Sequence, residues 1–218
     1  MSLQIASHEI RHVLVVEDNP GAREGYQYTL EDMDLEPVLE MGPLGSLDAY
    51  ISTVAGRCEA AICDHHLKES GYAGFNGAKL VAEMNSRRQP AVLCTAWEEA
   101  VVDEIRLFRK DIPCLLKPGE FDPESFQRAL EVCIDEFRGH FQPSRYPSRT
   151  LVRVEAVDQD NVYVVLPGWN PQEVIRLTRA AISPDVHLYI EAGARLHARV
   201  NIGAERQDEL YFDQWEGK

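Results

Sequence analysis

Long hydrophobic runs are absent from this sequence. The longest, residues 13–16 and 91–94, have the length of a β-strand, whereas a membrane-spanning helix needs about 20 apolar residues. Residues 1–11 include Glu9 and contain no apolar signal core. We therefore expect a cytoplasmic protein with no membrane partner.

Paired cysteines are absent as well. The five cysteines stand at positions 58, 63, 94, 114 and 133, and no two form a Cys-x-x-Cys pair that would indicate a metal or redox site. Three of them fall inside predicted core strands, where a free cysteine behaves as a small apolar residue. All five are predicted to be reduced and structural.

An excess of basic residues is also missing. The formal net charge is −14, and residues 149–218 hold 11 acidic and 8 basic residues. Neither half of the chain has the basic surplus that binding to a phosphate backbone requires. The second half has no paired amphipathic helices of the helix-turn-helix type. We predict that nucleic acid is not a partner.

What the sequence does contain is a regular alternation of two patterns up to about residue 138. Strands are predicted at 12–16, 36–40, 59–64, 91–96 and 113–117, and helices at 20–33, 47–55, 78–87, 98–110 and 124–138. Five strand–helix pairs in succession predict an α/β fold, with a parallel sheet covered by helices on both faces. With right-handed crossovers, the doubly wound order 2-1-3-4-5 fits five strands.

The pattern changes at residues 140–149, which contain two prolines and several polar residues typical of a linker. Beyond them the apolar period is two, which predicts strands at 151–157, 162–166, 174–177, 196–202 and 209–212. We therefore expect a first domain at 1–140, a linker at 141–149, and a small all-β barrel or sandwich at 150–218.

Polar residues follow the predicted parallel strands at their carboxyl ends, where open parallel sheets bind ligands. They are Glu17 and Asp18 after the first strand, Asp64 after the third, Thr95 after the fourth and Lys117 after the fifth. Three carboxylates this close repel one another unless a cation with oxygen ligands, such as Mg²⁺, binds them. One carboxylate could then attack phosphorus, while Thr95 donates a hydrogen bond and Lys117 neutralises charge.

These segments resemble the receiver domains of two-component response regulators. The matching stretches are VLVVEDN (13–19), AAICDHHL (60–67), AVLCTA (91–96) and LLKP (115–118), within residues 10–138. The resemblance implies a flavodoxin-like fold, as in CheY. It also implies that a histidine kinase or phosphotransfer protein donates the phosphoryl group.

The same resemblance implies a role for each site residue. Asp64 would be the phosphoacceptor, and Glu17 and Asp18 the acidic pair that binds Mg²⁺ together with Asp64 and the backbone carbonyl of His66. Thr95 would be the switch hydroxyl. Lys117 would be the lysine of the site, joined to the proline that follows it by a cis bond.

Some features depart from the family pattern or stay open. Cys114 stands where the family usually has an aromatic residue that moves inward with the threonine. The loop after Asp64, HHLKESGYAGFNG, is longer than usual; it either influences kinase choice and phosphoryl lifetime or is a tolerated surface insertion, the simpler interpretation.

His65 and His66 are predicted to be loop residues pointing in opposite directions. Trp97 is placed at the mouth of the site.

The C-terminal part gives weaker signals. Arg145 and Arg149 have the spacing of the arginine pair with which PilZ barrels bind cyclic di-GMP, but the matching D/N-x-S-x-x-G segment is missing. A pair of arginines in a linker is more simply interpreted as solvated. The remaining hypothesis is a protein-interaction module that binds a peptide at a strand edge, at 162–169 or 209–212. Most of its large aromatic side chains are predicted to fill the core.

The sequence therefore predicts a regulator that accepts a phosphoryl group on Asp64 and catalyses only its own phosphorylation and dephosphorylation. The helix at 98–110 would relay the change to the β-domain or to an unknown protein partner. Two alternatives are a docking scaffold that needs no phosphorylation and a nucleotide sensor of the cyclic di-GMP kind; a phosphatase is a remote third. The resemblance also allows a homodimer, with Leu107 and Phe108 as contact candidates, although Phe108 is predicted to pack inward.

Overall fold

The computed structural model describes residues 2–96 and 99–217. Contacts divide the chain into two compact units, which are described separately. One comprises residues 1–97 and 111–140, and the other comprises residues 98–110 and 141–218. The segment predicted as the fourth helix thus belongs to the second unit. None of the helices in the described ranges combines the length and the apolar character that crossing a membrane requires.

The first unit opens with a hairpin that the sequence did not predict. Its strands are β1 (Leu3–Ile5) and β2 (His8–Ile10), paired antiparallel. Ile5 and Ile10 are buried in the core of this unit. Strands of three residues are too short to show a period of two, so only their packing identifies them.

A five-stranded parallel sheet forms the centre of the first unit. Its strands are β3 (His12–Val16), β4 (Glu36–Leu39), β5 (Ala60–Cys63), β6 (Ala91–Cys94) and β7 (Leu115–Leu116), in the spatial order β4-β3-β5-β6-β7. Counted along the chain this is the order 2-1-3-4-5, so the predicted doubly wound, flavodoxin-like fold is confirmed. Every residue of β5 and β6 is buried, as expected for strands covered on both faces.

The helices are α1 (Pro20–Asp32), α2 (Leu47–Val54), α3 (Gly77–Ser86), α4 (Glu99–Arg106) and α5 (Pro123–Phe137), of which only α4 belongs to the second unit. The local sequence explains where two of these helices begin. The side chain of Asn19 caps α1 by accepting hydrogen bonds from the N–H groups of Gly21 and Ala22, and Asp122 forms a capping box with Ser125 at the start of α5. Four-residue spacing places Phe126, Leu130 and Ile134 on one face of α5, in the core.

The second unit contains a five-stranded antiparallel sheet. Its strands are β8 (Ser148–Val157), β9 (Asn161–Leu166), β10 (Asn170–Thr178), β11 (Arg195–Val200) and β12 (Phe212–Glu216), in the order β10-β9-β8-β11-β12. Four strands overlap their predicted positions, but the fifth was predicted at 209–212. The observed strand shares only Phe212 with that range: the N–H of Tyr211 donates to the side chain of Asn201 at 2.8 Å, and the strand begins one residue later.

Alternating residues of these strands point into one core. Val152, Val154, Leu196 and Ala198 are buried there, and Trp169, Phe212 and Trp215 pack against it. Of the large aromatic residues predicted to fill the core, Tyr211 is buried, whereas Trp169, Phe212 and Trp215 are partly buried against the core.

The second unit also holds α4 through polar contacts. The buried guanidinium of Arg106 donates to the carbonyls of Arg176 at 3.0 Å and Gln207 at 2.9 Å. Asp103 forms an ion pair with Arg176 of β10, and Lys110 lies 3.3 Å from Asp213 of β12. The α4 segment therefore binds both edge strands of the antiparallel sheet.

Arg145 fixes the end of this helical segment. Its guanidinium donates to the carbonyls of Arg109 and Lys110, each at 2.9 Å, and lies 4.9 Å from the ring centre of Tyr211. The Tyr211 hydroxyl in turn donates to the carbonyl of Arg145 at 2.7 Å. Arg145 is buried, so its interpretation as a solvated linker residue is wrong: the orphan carbonyls after a helix are its partners.

Candidate functional site

Three carboxylates meet at the carboxyl edge of the parallel sheet. β3 and β5 are neighbours, and Val16 pairs with Cys63 at their ends. Glu17 and Asp18 follow one strand and Asp64 follows the other, with the N–H of Asp64 donating to the carbonyl of Val16 at 2.9 Å. One carboxylate oxygen from each of these three acids lies within 4.8 Å of the others.

The electrostatics of this acidic cluster favour a bound cation. Burial, followed by the charges of Asp64 and Asp18, raises the pKa of Glu17 to about 7, although the N–H of Asn19 donates to its carboxylate at 2.9 Å. Burial also raises the pKa of Asp64, against the opposing effect of backbone N–H groups. Burial and neighbouring negative charge both disfavour the ionised form of a carboxyl, and a cation nearby would offset both effects. The cluster therefore fits a hard dication such as Mg²⁺, which prefers oxygen ligands.

The segment after Asp64 leaves strand geometry at once. The N–H of His66 donates to Asp64 Oδ2 at 2.6 Å, and the His65 carbonyl accepts from Leu67 and Gly77. His65 is buried, and its ring meets that of His66 edge-on at 5.1 Å, so the two side chains do not point in opposite directions. That expectation assumed an extended strand, and β5 has already ended. The His66 carbonyl as a metal ligand stays a prediction.

Gly77 allows α3 to approach Asp64 closely. A Cβ atom at this position would lie 1.8 Å from the carbonyl oxygen of Asp64 and 2.8 Å from Cys63 Sγ. Any side chain here would therefore displace the backbone that carries the carboxylate. The sequence analysis missed this requirement, because a single glycine at a helix start has many explanations.

Thr95 lies at the end of β6, next to β5. Its backbone N–H donates to the carbonyl of Leu116 at 2.9 Å. Its hydroxyl is buried and has no hydrogen-bond partner within residues 2–96 and 99–217. An orphaned buried hydroxyl costs about 1–3 kcal/mol, so a ligand oxygen that accepted its hydrogen bond would be favoured.

Lys117 follows the end of β7, and its role in the site stays a prediction. Its exposed side chain lies 3.7 Å from Glu120, whose carboxylate also accepts the N–H of Lys117 at 3.1 Å. Pro118 opens a short 3₁₀ turn there. The expected cis bond before Pro118 is wrong: in the described chain the cis peptide is at Gly42–Pro43. The trans bond suits a proline in the first position of a helical turn.

Three further predictions concern Cys114, Trp97 and the pair Leu107 and Phe108. Cys114 is partly buried and packs against the core of the first unit, which also contains the edge-to-face pair of Tyr26 and Phe121 with ring centres 4.9 Å apart. Trp97 lies outside the described residues. Leu107 is exposed, and Phe108 is half-buried; their role in a homodimer stays a prediction.

Arg23 is a site residue that the sequence analysis missed. It is buried on the same face of α1 as Tyr26 and Leu30, and its guanidinium donates to the carbonyl of Glu17 at 2.8 Å. The sequence contained an indication of this role, because a charged residue at a core-facing position of a helix is uncommon without a specific partner.

Comparison with known proteins concerns the fold. No protein-family model and no curated protein sequence matches this chain. The solved structures similar to it include receiver domains of response regulators, while the antiparallel domain is not recognised.

Three of these structures illustrate the similarity. The N-terminal domain of a response regulator/sensory box/GGDEF 3-domain protein from Carboxydothermus hydrogenoformans is 18% identical with a TM-score of 0.44, covering 59% of this chain and 98% of its own. SdrG from Sphingomonas melonis Fr1 is 23% identical with a TM-score of 0.43, covering 57% of this chain and 97% of its own. The chemotaxis response regulator CheY4 of Vibrio cholerae is 17% identical with a TM-score of 0.41, covering 55% of this chain and 98% of its own. Identities this low bear on the fold alone.

Proposed function

We propose that residues 1–140 are a Mg²⁺-dependent phosphoacceptor domain of the two-component type, and that residues 150–218 are its output module. Asp64 is the proposed acceptor, and a histidine kinase or phosphotransfer protein is the proposed donor. One observation carries this proposal: carboxylate oxygens of Glu17, Asp18 and Asp64 converge at one sheet edge, where burial raises the pKa of Glu17 and that of Asp64.

In the proposed reaction a carboxylate oxygen of Asp64 attacks the phosphorus atom of a phosphohistidine. A P–O bond forms, the P–N bond breaks, and the released imidazole takes a proton from solvent. Bound Mg²⁺ would supply charge neutralisation for the carboxylates and phosphoryl oxygens. The orphaned hydroxyl of Thr95 would donate to a phosphoryl oxygen. Lys117 would give up an exposed ion pair with Glu120, and such pairs contribute little.

The proposed relay runs along the chain into α4. Thr95 stands four residues before the first residue of α4, and the α4 segment is bound within the second unit through Arg106, Lys110 and Arg145. A change at Thr95 would therefore reach the antiparallel domain through a helix that this domain already holds. The protein would be a regulatory switch rather than a metabolic enzyme.

No specific observation favours the nucleotide-sensor alternative. Both terminal nitrogens of the buried Arg145 guanidinium donate to backbone carbonyls, and Arg149 forms an ion pair with Glu216 at 2.7 Å. A phosphate group would have to displace these partners.

The test is the mass of the intact protein after incubation with acetyl phosphate and Mg²⁺. We expect a phosphoryl adduct on the wild type, no adduct with EDTA, and no adduct on Asp64→Asn. Asp122→Asn, which changes a helix-capping aspartate elsewhere in the first unit, is the matched control and should still be modified. No adduct on the wild type, or an equal adduct on Asp64→Asn, would overturn the proposal in favour of a docking scaffold.

A further inference from the structure

The long loop after Asp64 crosses the edge of the sheet at which the acidic cluster lies. It leaves the end of β5, and Tyr72 within it donates a hydrogen bond of 2.6 Å to the carbonyl of Glu40, which follows β4. Because β3 lies between β4 and β5, this loop, residues 68–76, reaches across the end of the strand that carries Glu17 and Asp18.

This loop is built into the first unit by several contacts. The carbonyl of Tyr72 accepts the N–H of Leu44 at 2.8 Å, and the N–H of Gly74 donates to the carbonyl of Gly45 at 2.7 Å. The Tyr72 ring lies where a Cβ atom on Gly42 would be, at 2.6 Å, so Gly42 leaves room for the ring. A merely tolerated insertion would not need complementary glycines and paired backbone groups.

Tyr72 also interacts with the buried arginine beside the acidic cluster. Burial raises the pKa of Tyr72 to about 12, and the nearby guanidinium of Arg23 acts in the opposite direction. Arg23 in turn donates to the carbonyl of Glu17 at 2.8 Å. Tyr72 thus binds the backbone that follows β4, and Arg23 binds the backbone of the acidic turn.

We propose that Arg23 and Tyr72 are positioning residues that hold the Glu17–Asp18 turn in the geometry that binds Mg²⁺. The long loop is thus a working part of the acceptor site. An Arg guanidinium suits this role because its planar fork can serve two partners at fixed angles, whereas a lysine ammonium offers a flexible point charge. This inference rests on the proposed phosphoacceptor function.

The test measures the rate of phosphorylation by acetyl phosphate as a function of Mg²⁺ concentration. Tyr72→Phe removes one hydroxyl, and Arg23→Lys retains the charge but loses the fork. We expect each variant to raise the half-saturating Mg²⁺ concentration about three- to ten-fold, the effect of one ordinary hydrogen bond, with a nearly unchanged rate at saturating Mg²⁺. The double variant should raise it by less than the product of the single effects, because the two residues act as one unit.

Tyr28→Phe is the matched control, because Tyr28 is exposed on α1 and donates to Glu24 on the same helix. It should leave the Mg²⁺ dependence unchanged. An unchanged half-saturating concentration in Tyr72→Phe would overturn the inference, as would an equal loss of rate at every Mg²⁺ concentration, which indicates a purely structural role. Failure of the wild type to be phosphorylated would instead refute the proposed function.

Discussion

Replacing Arg145 with alanine should strongly destabilise the second unit. The buried guanidinium makes two hydrogen bonds of 2.9 Å to the carbonyls of Arg109 and Lys110 and stacks on Tyr211. Hydrogen bonds from a charged donor contribute about 1.5–3 kcal/mol each. A desolvated cation–π contact contributes about 2 kcal/mol.

These contributions do not add fully, because removing the arginine also removes the cost of keeping a charge out of water. We therefore expect the free energy of unfolding to fall by about 3 kcal/mol, of which the orphaned carbonyls account for a large part. For a chain of this size the melting temperature should fall by about 6–12 °C. The stability of Arg145→Lys should lie between that of the wild type and that of Arg145→Ala, since one ammonium group cannot reproduce the planar fork of a guanidinium.

The assay is equilibrium unfolding in urea, monitored by fluorescence of Trp169 and Trp215, which both pack on the core of the second unit. Arg195→Ala is the control, because Arg195 is exposed on β11 of the same unit and should change stability by less than about 0.5 kcal/mol. If Arg145→Ala matched this control, the reasoning that its buried contacts stabilise the unit would be refuted.

Three further predictions concern the acidic cluster. Gly77→Ala should abolish phosphorylation or folding, because its Cβ would lie 1.8 Å from the carbonyl oxygen of Asp64; a normal melting temperature with normal adduct formation would contradict this. Without divalent cations, stability should fall as pH rises from 4.5 to about 7, since the raised pKa of Glu17 means that the folded state binds more protons than the unfolded state. The loss of unfolding free energy over this pH range should reach roughly 3 kcal/mol in urea titrations and be absent in Glu17→Gln. If stability depended on pH equally in the wild type and in Glu17→Gln, Glu17 would be excluded as its origin. Thr95→Val should leave stability equal or about 1 kcal/mol higher, because the hydroxyl has no partner in the described ranges, and a clear loss in thermal unfolding would argue against that.

Periodicity and strand-end chemistry were sufficient to predict the parallel sheet. The order of its strands and the grouping of Glu17, Asp18 and Asp64 both follow from short local patterns plus the handedness of crossovers. Such features depend on residues close in sequence and on one general topological rule. The strands of the antiparallel sheet were found for the same reason, except β12, which begins only after Tyr211, whose N–H donates to an asparagine side chain.

The rest depends on contacts between distant residues. Arg145 stands in a segment with two prolines, and nothing nearby in the sequence indicates that it binds carbonyls 36 and 35 residues away. The partners of Arg106 are about 70 and 101 residues away. The role of Lys117 stays a prediction: its place at a strand end indicates a site residue, and in this structure its side chain lies 3.7 Å from a glutamate three residues later.

The assignment of α4 to the second unit has a consequence for how this architecture can be inherited. The chain crosses between the units three times, near residues 97, 110 and 140, instead of once. A gene fusion at a single junction therefore cannot exchange residues 141–218 as an independent domain, because residues 98–110, which they bind, would stay with the rest of the chain. Recombination would have to carry residues 98–110 along with 141–218, so the two parts are expected to be inherited and to diverge together.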